Sequence, residues 1–382
     1  MARNRIIYQS EAVYAGPAPA TGYHYGTYTP GIGGNSNVPN ASTNLVKQLQ
    51  RIQTANYSFT IDRTDVNQFG QLAAIDRVIL TNPTVSLDFS YINSNLSNEN
   101  ILGFTIASGS SDSAISAISG FLNKTSDERN YFIRTTPEGT DTVGYTDSSS
   151  GNNGVIGIGN AFLTSYSTEG SVGNFPTTTI NVEGLNMNFQ NGISGNYIPA
   201  VNPTDGSALT NYYQLAQAVQ NVGIGSGNAI SALRPGDITL SLSNTLASGV
   251  DVDTMNIQSY TLSFDLGRTP IQRLGNKFAF TREIDFPLTV TLSVDAQVTT
   301  MNAGNLANLV VDDSAKYNPS ITIKSPSDST LTMAKFILKG AKLDSQEYSS
   351  DIGSNKSVTL TFSAQVGGPQ DTANGLFING QY

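Results

Sequence analysis

The sequence predicts an all-β protein made of two tandem antiparallel β-sandwich or partial-barrel domains, each with a short flanking helix. Three observations predict it: an internal duplication, alternation of apolar and polar residues in both copies, and a composition poor in charge. Laid without a gap over the segment that begins at Ile257, the stretch from Ile52 to Tyr91 puts Ser58 and Phe59 on Ser263 and Phe264, and Arg63 and Thr64 on Arg268 and Thr269. Gly70 falls on Gly275, Arg77 on Arg282, and Thr84, Val85 and Leu87 on Thr289, Val290 and Leu292. A second match, at another offset, sets Ala161, Leu163, Ser165, Gly173 and Thr179 over Ala341, Leu343, Ser345, Gly353 and Thr359. The copies share an opening and an ending, and the first has the longer middle. Two copies are too few for a solenoid, so the repeat implies two tandem domains.

Within each copy the pattern has period two. Tyr57, Phe59 and Ile61 alternate with Ser58, Thr60 and Asp62, and Val85, Leu87, Phe89 and Tyr91 with Ser86, Asp88 and Ser90. The second copy repeats this with Leu262, Phe264 and Leu266 against Ser263 and Asp265, then Val290, Leu292 and Val294 against Thr291, Ser293 and Asp295. Such alternation belongs to antiparallel strands with one buried and one wet face.

Composition narrows the function. The chain is 38% hydrophobic, enough for real cores, but only 13% charged, against about 25% in an average globular protein. Its polar surface is therefore Ser, Thr, Asn and Gly, which suits a rigid all-β assembly. A net charge of -9 and a pI near 4.6 argue against binding nucleic acid through its phosphates, which takes clustered Lys and Arg. With no cysteine, disulfide frameworks, thiolate metal sites and cysteine nucleophiles are excluded. The N-terminal stretch has no apolar h-region and no run approaches about 18 apolar residues, so neither a signal peptide nor a membrane span is expected.

In chain order, residues 1–44 are rich in Gly, Pro and Asn, with Tyr8, Tyr14, Tyr23, Tyr25 and Tyr28 among them. Disordered segments are poor in aromatics, so this reads as an extended arm that orders against a neighbouring subunit. The first β domain spans 45–200. Its strands flank the loop from Arg63 to Arg77, repeated from Arg268 to Arg282, each bracketed by Arg and carrying one central glycine. A connection this long in a compact hairpin is uncommon; it reads either as a surface loop whose glycine supplies a positive φ or as a docking element. Helical stripes follow: Ala114, Ala117, Ile118 and Phe121 in the first copy, and Ala303, Leu306, Ala307 and Val310 in the second, both expected as core packing. Short strands resume at Arg129 to Arg134 and at Ser320 to Lys324, and each copy closes on a hairpin with an irregular loop. Residues 136–160 read as an exposed insertion. The linker, 201–235, carries a stripe of Leu209, Tyr212, Ala216 and Val219 that suggests a helix ended by Gly223, and the second β domain spans 236–382.

Chemistry is sparse. The single histidine, His24, lies in the arm, a poor base for acid–base work or a Ser-His-Asp triad. The segments GVIGIGN and GIGSGN lack the spacing of a phosphate cradle and read as loops. Asp251 and Asp253 lack the glycine and terminal glutamate of a calcium loop. No residue is nominated as catalytic, cofactor-binding or metal-ligating, no cofactor is expected, and the chain is not expected to be an enzyme.

The run YSFTIDRTDVNQFGQLAAIDRVILTNPTVSLDFSY, followed by a helix and then by IGSNKSVTLTF, resembles the tail tube (major tail) proteins of tailed bacteriophages. The resemblance covers most of residues 45–200 and 240–366, and the tandem copy departs from it, since many tube proteins carry one domain. It implies a structural virion protein of the tail, made in the host cytoplasm, whose domains form six-fold rings that stack into a conduit for DNA. For a chain with two domains the implied ring is a trimer with pseudo-six-fold symmetry. Partners would be the chain itself, tape measure, terminator and, in a contractile tail, sheath, with DNA passing through unbound. The Arg63, Gly70, Arg77 loop and its counterpart Arg268, Gly275, Arg282 are expected to reach the next ring, and Asp62, Asp88, Asp265 and Asp295 to face the lumen. A tail hub or terminator of the same fold, and a glycan-binding adhesin or fibre module, are the competing readings.

Overall fold

The computed structural model describes residues 10–17, 46–108, 115–123, 127–145, 152–192, 194–207, 212–215, 218, 232–241, 255–279, 281–299, 305–307, 316–353 and 355–382. The first part of the chain forms β1 (Glu11–Pro17), β2 (Lys47–Gln48), β3 (Ile52–Thr60), β4 (Thr64–Val66), β5 (Asp76–Val78), β6 (Thr84–Ile92), α1 (Ser97–Leu102), β7 (Ile106–Ser108), α2 (Ser119–Leu122), β8 (Glu128–Thr135), β9 (Gly154–Ser171), β10 (Thr177–Gly184), β11 (Asn186–Asn191), β12 (Ser194–Tyr197) and β13 (Tyr212–Gln214). The second forms β14 (Ile238–Ser241), β15 (Asn256–Asp265), β16 (Arg268–Ile271), β17 (Thr281–Ile284), β18 (Thr289–Gln297), β19 (Ser320–Lys324), β20 (Thr332–Lys339), β21 (Lys342–Ser349), β22 (Ser357–Gln365) and β23 (Gly375–Gly380). The all-β class and its antiparallel pairing are as the alternation predicts.

The duplication is visible in the topology. One continuous sheet runs in the order β3, β6, β10, β9, β15, β18, β22, β21, so each copy contributes the same four strands in the same order. Even the irregularities repeat: a bulge lies between Ile52 and Thr54 and again between Ile257 and Ser259, each adding one unpaired residue to its strand. The copies are joined where β9 pairs antiparallel with β15, from Ser259 opposite Ser171 to Asp265 opposite Ser165. Across this junction the strands of both copies form one continuous sheet.

A second layer covers the apolar face of this sheet. The 18-residue β9 serves both layers: its first half pairs with β8 and β11, its second with β10 and β15. In the second copy the order is β14, β19, β20, β23, β7, and β7, from the first copy, lies parallel to β23. One core cluster therefore contains Leu87, Phe89, Tyr166, Phe264, Leu292 and Phe362 from both copies. Burying each such side chain contributes about 1.5–3 kcal/mol.

Several expectations are corrected. Within the arm, Glu11–Pro17 pairs with β8 of its own chain and Tyr14 is fully buried; Tyr8, Tyr23, Tyr25 and Tyr28, like His24, Asp251, Asp253 and GIGSGN, lie outside the described residues. The segment GVIGIGN is the first half of β9. Its glycines are needed because a Cβ on Gly159 would overlap the Pro199–Ala200 backbone crossing over it. Of the expected insertion, residues 137–141 and 143–145 are exposed or half-buried, whereas Thr136, Thr142 and the segment entering β9, with Val155 and Ile158, are buried. Tyr212 belongs to a strand paired with β12 rather than to a helix, while Leu209, Ala216, Val219 and Gly223 lie outside the described residues. Ala117, Ile118 and Phe121 are buried as expected, but only Ser119–Leu122 is helical, and Ala114 falls outside. In the second stripe Leu306 is 72% exposed and Ala307 is also exposed, so neither packs in a core; Ala303 and Val310 are outside. Helix α1, which periodicity did not signal, ends at Gly103 with a left-handed φ of 102°, the usual C-terminal stop.

Candidate assembly surface

The polar face of the continuous sheet is a hydrogen-bonded lattice of short side chains. Thr54 and Ser90 lie 2.6 Å apart, Ser58 and Ser86 2.8 Å, and Ser349 and Ser357 2.6 Å, each hydroxyl pair bridging neighbouring strands. Asp295 accepts from Ser259 at 2.8 Å and from Thr359 at 2.6 Å, tying three strands together. Cross-strand pairing places Asp88, Glu169, Glu183, Asp265, Asp295 and Glu347 on this face, against the one amine of Lys342 among its described strand residues. Asp88, Asp265 and Asp295 thus share one exposed surface, as their alternation indicated. Asp62 is exposed beyond the end of β3, at the rim. Glu169, Glu183 and Glu347 were missed, although the register of the hairpins carries them there.

Among the described strands, β3 is one edge of this sheet and β21 the other. Unpaired edges invite further strand pairing, and these two carry exposed apolar groups. Phe59 is 57% exposed on β3, whereas its repeat equivalent Phe264 is 3% exposed. The difference lies in the neighbour. Phe264 stacks on Tyr166 of β9, with ring centroids 5.4 Å apart, while no described strand pairs with β3 on that side. At the other edge Tyr348 is 41% exposed.

The two Arg-bracketed loops are β-ribbons, β4 with β5 and β16 with β17. Gly70 and Gly275 turn their tips with φ of 84° and 88°. Their surroundings differ. The second ribbon lies against the first copy: the side chain of Arg268 is 1% exposed, its guanidinium is 3.0 and 2.5 Å from the two carboxylate oxygens of Asp127, and it also donates to the Leu163 carbonyl at 3.1 Å. Arg282, 5% exposed, pairs with Glu183 at 2.5 Å, and the Lys277 and Phe278 amides donate to the Pro203 carbonyl. Arg268 and Arg282 are thus engaged inside the chain rather than projecting from it. At the base of the first ribbon no described residue of another element is engaged in the same way: Arg63 is exposed and Arg77 pairs with Asp65 at 2.7 Å on the surface, while the tips are alike, Phe69 and its equivalent Leu274 both being fully exposed. Asp127, which sits 141 residues from Arg268, carried no signal in the sequence.

Among the described residues no group of three or more His, Cys, Asp or Glu is placed to hold a metal ion, and no helix is long and apolar enough to cross a membrane. No family model matches the sequence, and no curated protein matches it. Among solved structures, the chain is similar to a chain of the cryo-EM structure of the anti-feeding prophage (AFP) baseplate, 6-fold symmetrised, with 14% identity, 37% of this chain and 91% of that chain covered, and a TM-score of 0.23. At that TM-score the likeness decides neither fold nor role.

Proposed function

We propose that this protein is a structural, non-catalytic subunit of a phage-type tail, and that copies join through their free sheet edges into a ring whose polar face lines a DNA conduit. The observation that carries this reading is the contrast between Phe264, 3% exposed, and Phe59, 57% exposed, at equivalent positions of one repeat. The β9–β15 junction is a working example of one copy's last strand paired with the next copy's first. Transferring its register to the free edges sets Tyr57 opposite Tyr348, Ser58 opposite Glu347 and Phe59 opposite Gln346. Pairing in that register covers Phe59 and removes both edges.

Strand number favours several copies over one. A closed barrel of about eight strands is filled by its own side chains, whereas about 24 strands, the contribution of three copies, enclose a wide channel. Small hydroxyls and carboxylates on the inner face would leave such a channel smooth and unattractive to phosphate.

The absence of cysteine gives a clean test. Residues opposite one another on antiparallel strands lie about 4.5–5.5 Å apart at Cα, within disulfide range. Oxidising the Ser58→Cys, Glu347→Cys variant is expected to give covalent dimers and trimers, while Ser58→Cys with Gln346→Cys, one residue out of register, gives none. A chain that stays monomeric and uncrosslinked sinks the reading. Closed rings that never stack into tubes in electron micrographs assign the protein to a hub or terminator instead.

A further inference from the structure

The internal seam shows what a ribbon does at a junction. Beyond β15, the second ribbon crosses onto the preceding copy and fastens there: the Leu266 amide donates to the Thr164 carbonyl at 2.7 Å, Arg268 grips Asp127, and Arg282 reaches Glu183 on β10. The first ribbon has the same glycine-turned tip and the same bracketing arginines. It follows β3, which among the described strands pairs only with β6, so no described strand occupies the corresponding place. What remains exposed is the set of residues that the second ribbon buries or pairs: Ile61, equivalent to Leu266, is 39% exposed against 1%, and Arg77, equivalent to Arg282, has a side chain 67% exposed against 5%.

We infer that the ribbon from Arg63 to Arg77 is a lateral strap that docks on the β21–β22 hairpin of a second copy of this chain, as the second ribbon docks on β9 and β10. The inference rests on the ring reading and adds to it a contact outside the paired strands. Repeat equivalence names the groups that meet: the Ile61 amide and the Asp344 carbonyl, the Arg63 guanidinium and the Leu343 carbonyl, and Arg77 beside Ser363. The last pair differs from its template. Where the internal seam has the acid Glu183, the seam between copies has Ser363, so the arginine is in place and its carboxylate is missing. The strap therefore holds a neighbour less firmly than the internal seam holds its own halves.

Restoring the acid tests this. In the full-length protein Ser363→Glu is expected to lower the dissociation constant of the oligomer, followed by sedimentation velocity, by about fivefold, as for a favourable ion pair at a partly exposed site. The gain should vanish in Ser363→Glu with Arg77→Ala. An equal response with and without Arg77, or no response, overturns the strap while leaving the ring intact. If Arg77→Ala leaves ring dissociation unchanged but stops rings from stacking, the ribbon works along the tube axis and the lateral assignment is overturned. A wild-type protein monomeric at every concentration removes both the strap and the ring.

Discussion

Glu99 carries the most consequential buried charge at the residue scale. It is 1% exposed, the Tyr91 hydroxyl donates to its Oε1 at 2.7 Å and that of Tyr166 at 3.4 Å, and its Oε2 has no side-chain partner among the described residues. Burial pushes its carboxyl up to about 7 from an ordinary 4.5, and the tyrosine hydrogen bonds offset only part of this. A raised carboxyl means that the folded state holds the proton more tightly than the unfolded chain. Stability from this group is complete below about pH 4.5 and is lost as pH rises toward 7, by about 3 kcal/mol in all. The urea midpoint should therefore fall between pH 5 and pH 8, and fall less in Glu99→Gln. Part of the slope will persist, because burial raises Glu128 to about 7 as well; identical slopes in both proteins would acquit Glu99. Asp127 makes a second case. Removing it by Asp127→Ala leaves the Arg268 guanidinium, whose side chain is 1% exposed, charged and unpaired, a change that costs about 3–5 kcal/mol. Denaturant titration should show that loss, and Asp65→Ala, which breaks only the exposed Arg77 pair, should cost less than about 1 kcal/mol.

At the scale of elements, β9 joins the layers and the copies, and it is where reading the sequence both succeeded and failed. Its second half alternates, and the match of Leu163 and Ser165 to Leu343 and Ser345 places it correctly in a hairpin. Its first half, GVIGIGN, looks like a loop because glycine in a strand gives up packing and order. The reason for those glycines is the chain passing over them at Pro199 and Ala200, a contact that no local pattern encodes. Gly159→Ala should accordingly cost at least about 1–3 kcal/mol by overpacking, measured by thermal or urea unfolding, whereas Gly236→Ala, with open space around it, should cost little. A variant Gly159→Ala as stable as wild type would mean that the crossing is loose. The same limit explains the other misreadings. Tyr212 has helical spacing, yet it pairs with Tyr197, and tertiary pairing overrides a weak period. Alternation placed the aspartates of the polar face, because strand period alone decides the face. It could not distinguish a free ribbon from a docked one, since Arg63 and Arg268 are the same residue in the same frame and differ only in whether a neighbouring copy is present in the chain.

For the whole molecule, the ring reading makes the polar face the wall of a channel, and the charge on that wall becomes a functional quantity. Asp88 is exposed at the middle of β6, while Asp295 is exposed but bonded to Ser259 and Thr359. At physiological salt the Debye length is about 8 Å, so these carboxylates act on a duplex sliding close to the wall and hardly on one at the centre. A wall bearing lysines would instead release counterions on contact with phosphate and hold the DNA. The two sites differ in cost. Asp88→Lys gives up one cross-strand hydrogen bond, from the Asn181 amide at 3.2 Å, whereas Asp295→Lys breaks two, each contributing about 0.5–1.5 kcal/mol. Asp88→Lys is therefore the cleaner probe, with Asp88→Asn to separate lost repulsion from gained attraction. Tails assembled from Asp88→Lys are expected to form normally in micrographs and to release DNA more slowly than wild type, followed by dye fluorescence after triggering. The delay should shrink as salt is raised, because counterion release weakens with it, and Asp88→Asn should show little of it. Unchanged release from correctly assembled Asp88→Lys tails, or a delay indifferent to salt, would place this face away from the bore.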